Sequence, residues 1–368
     1  MTRSFSHRTL GQRVFFGAGN LTSDVGAERE RLAARRVMLI ASSSAVAAAD
    51  QLGDVLPVAH RYDGARQHVP IEDAHAARQI AAEVEADLLV CVGGGSAIGL
   101  GKAIALRSRT PLIAVPTTFA GSEATNAWGM TRQGRKTTGV EDAVLPSSVV
   151  YDVDLVASLP ADLVTSSGMN ALAHCLDSLW APGADPINEV LAVEAMRALS
   201  QGLVQFTANP GADPGADHGA DADGLQQLQQ GAYLAGAAFA SAGSGLHHRI
   251  CHVLGGTYNL PHAQTHAVVL PHVLAFNLEA APAAGARIAA ALGGADALHG
   301  LMQLGARVDA PRALKDLGML ERDLEAAAHR IHAVVPPSNP RSMDRRDAAR
   351  LLRAAWSGDD PAQLRHPL

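Results

Sequence analysis

The sequence predicts an α/β domain followed by an all-helical one. Two patterns and the chain length lead to this. Short, nearly continuous apolar runs alternate with helical periodicity up to about residue 155, the pattern of a mostly parallel sheet covered on both faces. Beyond Tyr151 that alternation stops, and Ala- and Leu-rich segments at helical spacing take over. The chain has 368 residues, too many for one small core. The expected division is an α/β domain of residues 1–155 and an all-helical domain of residues 156–368, with the functional site in the cleft between them.

Taken in order, Arg13-Val14-Phe15-Phe16-Gly17 is a β-rich run stopped by glycine and reads as an edge strand or hairpin arm. Ala27 to Arg35 has helical spacing. Arg36 to Ala41 is an apolar strand that ends in Ser42-Ser43-Ser44. Val55 to Arg61 is a weaker strand, and Ile71 to Glu85 a helix of good helix formers. Ala86 to Val92 is a buried strand, followed at once by Gly93-Gly94-Gly95-Ser96 and a helix over Ala97 to Leu106; Leu112 to Val115 is the next strand. The second half predicts helices over residues 162–180, 186–203, 224–240, 280–291, 311–317, 321–334 and 344–356. Asn209 to Gly224 repeats Gly-Ala-Asp and reads as a flexible surface loop.

Composition excludes whole classes of function. Hydrophobic residues at 48% and charged residues at 18% fit a soluble globular protein. A net charge of −6 argues against a nucleic-acid partner. No apolar run reaches the ~18 residues of a membrane span, and the N-terminus lacks the apolar core of a signal peptide. Cys91, Cys175 and Cys251 are widely spaced in apolar contexts, which suits a reducing compartment. A cytoplasmic enzyme is expected.

Three stretches concentrate the chemistry. Asn170 and His174, His248 and His252, and His262 and His266 are each four residues apart. On a helix that spacing puts both side chains on one face. With 16 histidines in the chain, one such pair is an ordinary coincidence. Three pairs, two flanking one short segment, point to a pocket that receives His174, His248, His252 and His262. Three imidazoles and an acid would hold a divalent metal, but the fourth position here is Asn170, a neutral amide.

Gly93-Gly94-Gly95-Ser96 between a strand and a helix is a phosphate cradle. Backbone N–H groups can approach an anion there, and the helix N-terminus adds its dipole. Lys102 is expected to supply charge, and Pro116-Thr117-Thr118 follows the next strand. An acid selective for NAD is absent after Ala41, where Ser42 and Ser43 stand instead. Both NADH and NADPH are therefore expected to bind.

Jointly, Gly93 through Ser96, Pro116 through Thr118, Gly121-Ser122-Glu123, Gly168 through His174, and His248 through His266 resemble the iron-containing alcohol dehydrogenase superfamily, and within it the maleylacetate reductases. The resemblance spans roughly residues 12–280. It implies a Rossmann-like mostly parallel sheet joined to a helical bundle, in the dehydroquinate synthase-like arrangement, and a homodimer. It further implies NAD(P)H-dependent reduction of 2-maleylacetate, or a chloro-substituted form, to 3-oxoadipate in aromatic-compound degradation. The superfamily's metal positions fall on Asn170, His174, His248 and His262, and His252 falls near the nicotinamide. Three departures point to the reductase branch and to work without a metal: Asn170 for an aspartate, Gly99 for an acid, and a Pro116–Glu123 loop one residue short. Should a metal bind, His174, His248 and His262 are its implied positions.

On this resemblance hydride adds to the alkene carbon β to the ketone. An imidazole N–H of His248 or His252 meets the enolate oxygen. The dicarboxylate needs cations and donors, expected from Arg249 first, then Lys136, with Ser122, Asn126 and Asn170 as hydrogen-bonding neighbours. Glu123 orients a histidine or caps a helix. The rival readings are a metal-dependent alcohol or polyol dehydrogenase and a catalytically inactive nucleotide-binding sensor.

Overall fold

A computed structural model describes residues 4–133, 135–208 and 219–366. Six parallel strands form the main sheet: β1 (Arg13–Gly17), β2 (Val37–Ala41), β3 (Val58–Asp63), β4 (Leu88–Gly93) and β5 (Leu112–Pro116), then, after an antiparallel hairpin of β6 (Ala127–Arg132) and β7 (Arg135–Val140), β8 (Ser148–Asp152). The strand order is β1-β8-β5-β4-β2-β3, with every pairing parallel. Helices α1 (Leu21–Arg31), α2 (Val46–Gly53), α3 (Ile71–Glu83) and α4 (Gly95–Ser108) cover its faces. Alternation along each strand decides which face a residue serves. Val37, Leu39 and Ala41 pack with α1 and α2, whereas Met38 and Ile40 pack with α3 and α4. Both faces being covered, β2, β4 and β5 are buried along their whole length, which is why they read as unbroken apolar runs.

The remainder is helical among the described residues: α5 (Ala161–Ser178), α6 (Pro186–Ala208), α7 (Gly219–Ala242), α8 (Leu246–Tyr258), α9 (His262–Leu278), α10 (Pro282–Ala291), α11 (Ala297–Arg307), α12 (Leu324–His332) and α13 (Arg345–Ser357). One hydrophobic core runs through them. α5 is its axis, buried continuously from Val164 to Ser178. Sheet and bundle together are the architecture expected from the sequence.

Several elements differ from expectation. β6, β7 and β8 are strands that the sequence pattern did not announce. β6 and β7 form a two-stranded ribbon outside the main sheet, with mixed polar residues on both sides, so no buried face imposes a period-two signal. β1 is an edge strand, pairing in parallel only with β8. The first helix lies earlier, over Leu21–Arg31 rather than Ala27 to Arg35. The segment expected as a helix from Pro311 shortens to a 3₁₀ turn at Leu314–Leu317. The Gly/Ala/Asp-rich stretch Asn209 to Gly224 lies mostly outside the described residues, and α7 begins at Gly219. No helix among the described residues is long and apolar enough to cross a membrane.

β2 is followed in sequence by β3 on one side, yet β4 lies on its other side. The carboxyl ends of β2 and β4 therefore flank the topological switch point, where open α/β sheets leave a crevice for ligands.

Candidate active site

The switch point is lined by backbone. Gly93 ends β4 with φ +146°, and a Cβ there would lie 2.7 Å from Ser42 Oγ and 3.0 Å from Ala97 Cβ. Only glycine permits that backbone with so close a neighbour. A Cβ on Gly94 would likewise lie 3.0 Å from the Thr118 side chain. Ser42, Gly93, Gly94 and Thr118 are thus brought together beside the first turn of α4, which holds Gly95 and Ser96. Thr117 is buried, its N–H donating to the Gly93 carbonyl at 3.2 Å. Ser43 is exposed at the start of the turn after β2.

Lys102 does not serve this cradle. It is buried, and its Nζ donates to the carbonyls of Ser122 (2.6 Å), Thr125 (2.7 Å) and Ala127 (2.9 Å) and to Thr125 Oγ1 (3.0 Å). Burial pushes its pKa down to about 7. The residue clamps the 122–127 loop onto α4. Glu123 orients no histidine; its Oε1 accepts from the Tyr151 hydroxyl at 2.6 Å. Asn126 is buried and spends its Nδ2 on Asp142 at 2.8 Å. Ser122 is partly buried on this loop.

Beside the same loop stand the histidines, His174 Nδ1 lying 3.2 Å from where a Cβ on Gly121 would be. Asn170, His174 and Asp177 occupy positions i, i+4 and i+7 of α5 and share one face. His248 and His252 do the same on α8, and His262 and His266 on α9. The rings of His174 and His248 stack at 4.7 Å, those of His248 and His252 lie 6.4 Å apart, and those of His262 and His266 lie 4.4 Å apart. Phe239 packs on both His174 and His248. The His248 and His266 rings lie 4.9 Å apart and join these groups, so all four predicted imidazoles belong to one cluster. Burial pushes His174 down to about 4 and His252 to about 3, so both are neutral near pH 7. His248 and His262 are lowered as well, again chiefly by burial.

Asp177 was not anticipated from the sequence. It is fully buried, and its Oδ2 accepts from His248 Nδ1 at 2.7 Å. The same carboxylate accepts from the backbone N–H groups of Gly245, His247 and His248 at 3.1, 3.4 and 3.1 Å, and from Trp180 Nε1 at 3.3 Å. It thereby caps the N-terminus of α8 from another helix. A Cβ on Gly245 would collide with it. Burial pushes the Asp177 carboxyl up, but four N–H donors besides the imidazole hold it as a carboxylate, so the shared proton belongs on His248 Nδ1. His248 then turns a lone pair on Nε2, not an N–H, toward its neighbours. The available signal was spacing: Asp177 lies one turn after His174.

The two cations exchange places relative to expectation. Arg249 is exposed, with Nη1 3.5 Å from the Val334 carbonyl, because on α8 it is turned about 100° from His248. Lys136, on β7 opposite Thr131, lies where its charge bears on His68, His248, His252 and His262. Burial lowers its pKa, and no carboxylate pairs with it among the described residues.

A metal at the superfamily's positions can be tested against this geometry. Asn170 Oδ1, His174 Nδ1 and His248 Nε2 are buried without a partner. Yet among the described residues the only trio of His, Cys or acidic side chains whose ligand atoms come within 4.8 Å of one another is His247, Cys251 and His266. That trio is a hydrogen-bonded wall, with His247 Nε2 and His266 Nδ1 2.9 Å apart and the Cys251 thiol pushed well up by burial. The ligand atoms of His174, His248 and His262 do not all lie within that limit of one another, and Asn170 brings no charge, so as placed these donors are wider apart than in a closed four-ligand centre and lack its anion.

Residues 11–153 match the model of the iron-containing alcohol dehydrogenase, and residues 164–356 that of the Fe-containing alcohol dehydrogenase family, C-terminal. The chain belongs to the iron-containing alcohol dehydrogenase family and is an oxidoreductase. More particularly, it is 45% identical over 359 residues to maleylacetate reductase 2 of Cupriavidus pinatubonensis, covering 95% of this chain and 96% of that one. It is 39% identical to a maleylacetate reductase of Pseudomonas sp., covering 97% and 99%. Among solved structures, an iron-containing alcohol dehydrogenase from Corynebacterium glutamicum superposes with a TM-score of 0.93 at 50% identity, covering 99% and 100%. Maleylacetate reductase from Agrobacterium tumefaciens does so with 0.87 at 36% identity, covering 97% and 99%.

Proposed function

We propose that this enzyme uses NADH or NADPH to reduce the carbon–carbon double bond of 2-maleylacetate, or a chloro-substituted relative, to 3-oxoadipate. The observation that carries this reading is Lys136, a lysine desolvated by burial on the hairpin face that also holds the His68 turn, with no carboxylate partner among the described residues. A desolvated ammonium calls for an anionic ligand. A dicarboxylate meets that demand, and a simple alcohol or aldehyde does not. The maleylacetate reductases to which the chain is 39–45% identical point the same way.

In this reading Gly93, Gly94, Gly95, Ser96, Thr117 and Thr118 would hold the phosphates of the nicotinamide cofactor, which would supply the hydride when bound. Reduction places that hydride on the alkene carbon β to the ketone, the π electrons pass to the ketone oxygen as an enolate, and a proton from solvent water adds at the carbon α to the ketone. His252, neutral and partly open to the cleft, donates an N–H to the enolate oxygen, as a neutral imidazole can. His248 takes a different part from the one its spacing suggested. With Nδ1–H held by Asp177 it accepts rather than donates, and it stacks on His174 to fix the wall.

We further propose that no resident metal takes part. Support comes from the amide at position 170 and from the spread of the His174, His248 and His262 ligand atoms. Ser42 and Ser43 neither repel nor strongly attract a ribose 2′-phosphate, so preference between NADH and NADPH should stay within ~100-fold. A cytoplasmic homodimer and a domain division near residue 155 complete the proposal; the open edge of β1 suits the former, and the last strand ending at Asp152 suits the latter.

The test follows NADH absorbance with 2-maleylacetate and, separately, with a simple aldehyde. Rapid oxidation with the dicarboxylate alone is expected; rapid turnover of the aldehyde with none of the dicarboxylate would overturn the reading in favour of an alcohol dehydrogenase.

A further inference from the structure

The β3–α3 connection carries strained backbone beside the cleft. His68 and Val69 are successive residues at φ +62° and +47°. A β-branched residue rarely enters that left-handed region. Such strain persists only where the surroundings over-determine it, and it gathers at functional sites. Here the surroundings are visible. The Val69 side chain is buried against α4, where a Cβ on Gly99 would lie 2.8 Å from its Cγ2. Thr131 on β6 donates from its hydroxyl to the His68 carbonyl at 2.9 Å and from its N–H to the Val69 carbonyl at 3.0 Å.

The strained turn delivers an imidazole across the cleft. The His68 ring stands edge-on to His262, with centroids 6.2 Å apart. Its Cε1 is 3.7 Å from where a side chain on Gly255 of α8 would begin. Thr131, which holds the turn, is paired with Lys136 across the hairpin, so the same ribbon fixes both groups. The Lys136 charge bears on His68 and His262 alike. Neither His68 nor Lys136 has a carboxylate partner among the described residues.

We propose that His68 and Lys136 together seat one substrate carboxylate, from the nucleotide-domain side of the cleft, facing His252 and His262 of the helical domain. The ammonium supplies charge and the imidazole N–H supplies direction, so the enone is pinned at one end while the cofactor approaches from the cradle. This assignment rests on the dicarboxylate reading above and names the groups that would recognise its anion. It also accounts for Gly99, since a larger residue there would displace Val69 and the turn with it.

The experiment compares wild type with His68→Gly and His68→Asn, using 2-maleylacetate and its monoester, which is uncharged at the seated carboxylate and keeps the other. Glycine keeps the left-handed backbone without strain while removing the ring. Asparagine also tolerates that backbone and restores a short N–H donor. KM for 2-maleylacetate should rise roughly tenfold or more in His68→Gly, the scale of one lost hydrogen bond to a charged group. KM for NADH and the thermal midpoint should stay near wild type, His68→Asn should recover part of the loss, and the monoester should show little change. Wild type that turns over 2-maleylacetate with a matching glycine variant, or equal losses on diacid and monoester, would overturn the seat alone. Wild type inactive on 2-maleylacetate would overturn the parent reading and the seat with it.

Discussion

The carboxyl edge of the sheet and the imidazole wall of the bundle are built differently. The edge is made of backbone. Gly93, Gly94 and the first turn of α4 shape it, and side chains such as Ser42 and Thr118 only close around it. The wall is made of side chains, brought from α5, α8 and α9 and fixed by one buried carboxylate, Asp177. A backbone site is indifferent to most side-chain changes and intolerant of a Cβ. A side-chain site is the reverse: it survives backbone adjustment and fails when one donor is lost.

The largest expected effect therefore belongs to the edge. Gly93→Val places side-chain atoms against Ser42 and Ala97 at a φ that valine avoids. Strain and overpacking of about 1–3 kcal/mol each should weaken NADH binding roughly 10³-fold. Fluorescence titration measures it, and near-normal affinity would mean the nucleotide lies elsewhere. Next comes the wall. His252→Ala should lower kcat about 10²-fold with little change in NADH affinity, the loss expected of a positioned donor; unchanged turnover would remove His252 from the reaction.

The comparison sharpens between the two cations. Lys136→Met should raise KM for 2-maleylacetate roughly ten- to a hundredfold, as for a lost charged hydrogen bond. Arg249→Ala, at an exposed site, should stay within about twofold by the same reasoning. The opposite ranking in steady-state kinetics would restore Arg249 to the pocket. A separate effect, read in stability rather than kinetics, belongs to the wall. His174 and His247 are buried with pKa values pushed down to about 4 and about 3 from the ordinary 6.5. The unfolded chain binds protons below pH 6.5 that the folded wall refuses. Stability is thus fully present above that pH and is lost as pH falls toward the folded values, by at most about 1.4 kcal/mol per pH unit for each ring. The thermal midpoint should be lower near pH 5 than near pH 7; a rise on acidification would contradict a neutral wall.

The same contrast explains what the sequence disclosed. The cradle is local, a strand, glycines and a helix in succession, and it was readable residue by residue. The pairs Asn170 and His174, His248 and His252, and His262 and His266 were readable because four-residue spacing survives folding. Asp177 was not, since its partner lies 71 residues away on another helix. The placement of Arg249 and Lys136 was hard to read for a related reason. Nearness in sequence to His248 favoured the arginine, but helical rotation carries it outward, while a hairpin with no amphipathic signature carries the lysine in. His68 owes its position to a strained turn that no spacing announces.

The central claim is that this pocket acts on an anionic enone with its own imidazoles and ammonium. The most direct measurement is NADH oxidation with 2-maleylacetate before and after exhaustive chelation, alongside the metal content of the same sample. Turnover unchanged by chelation, with metal far below one per chain, is the predicted result. Stoichiometric iron or zinc whose removal abolishes turnover, and whose return restores it, would contradict the account.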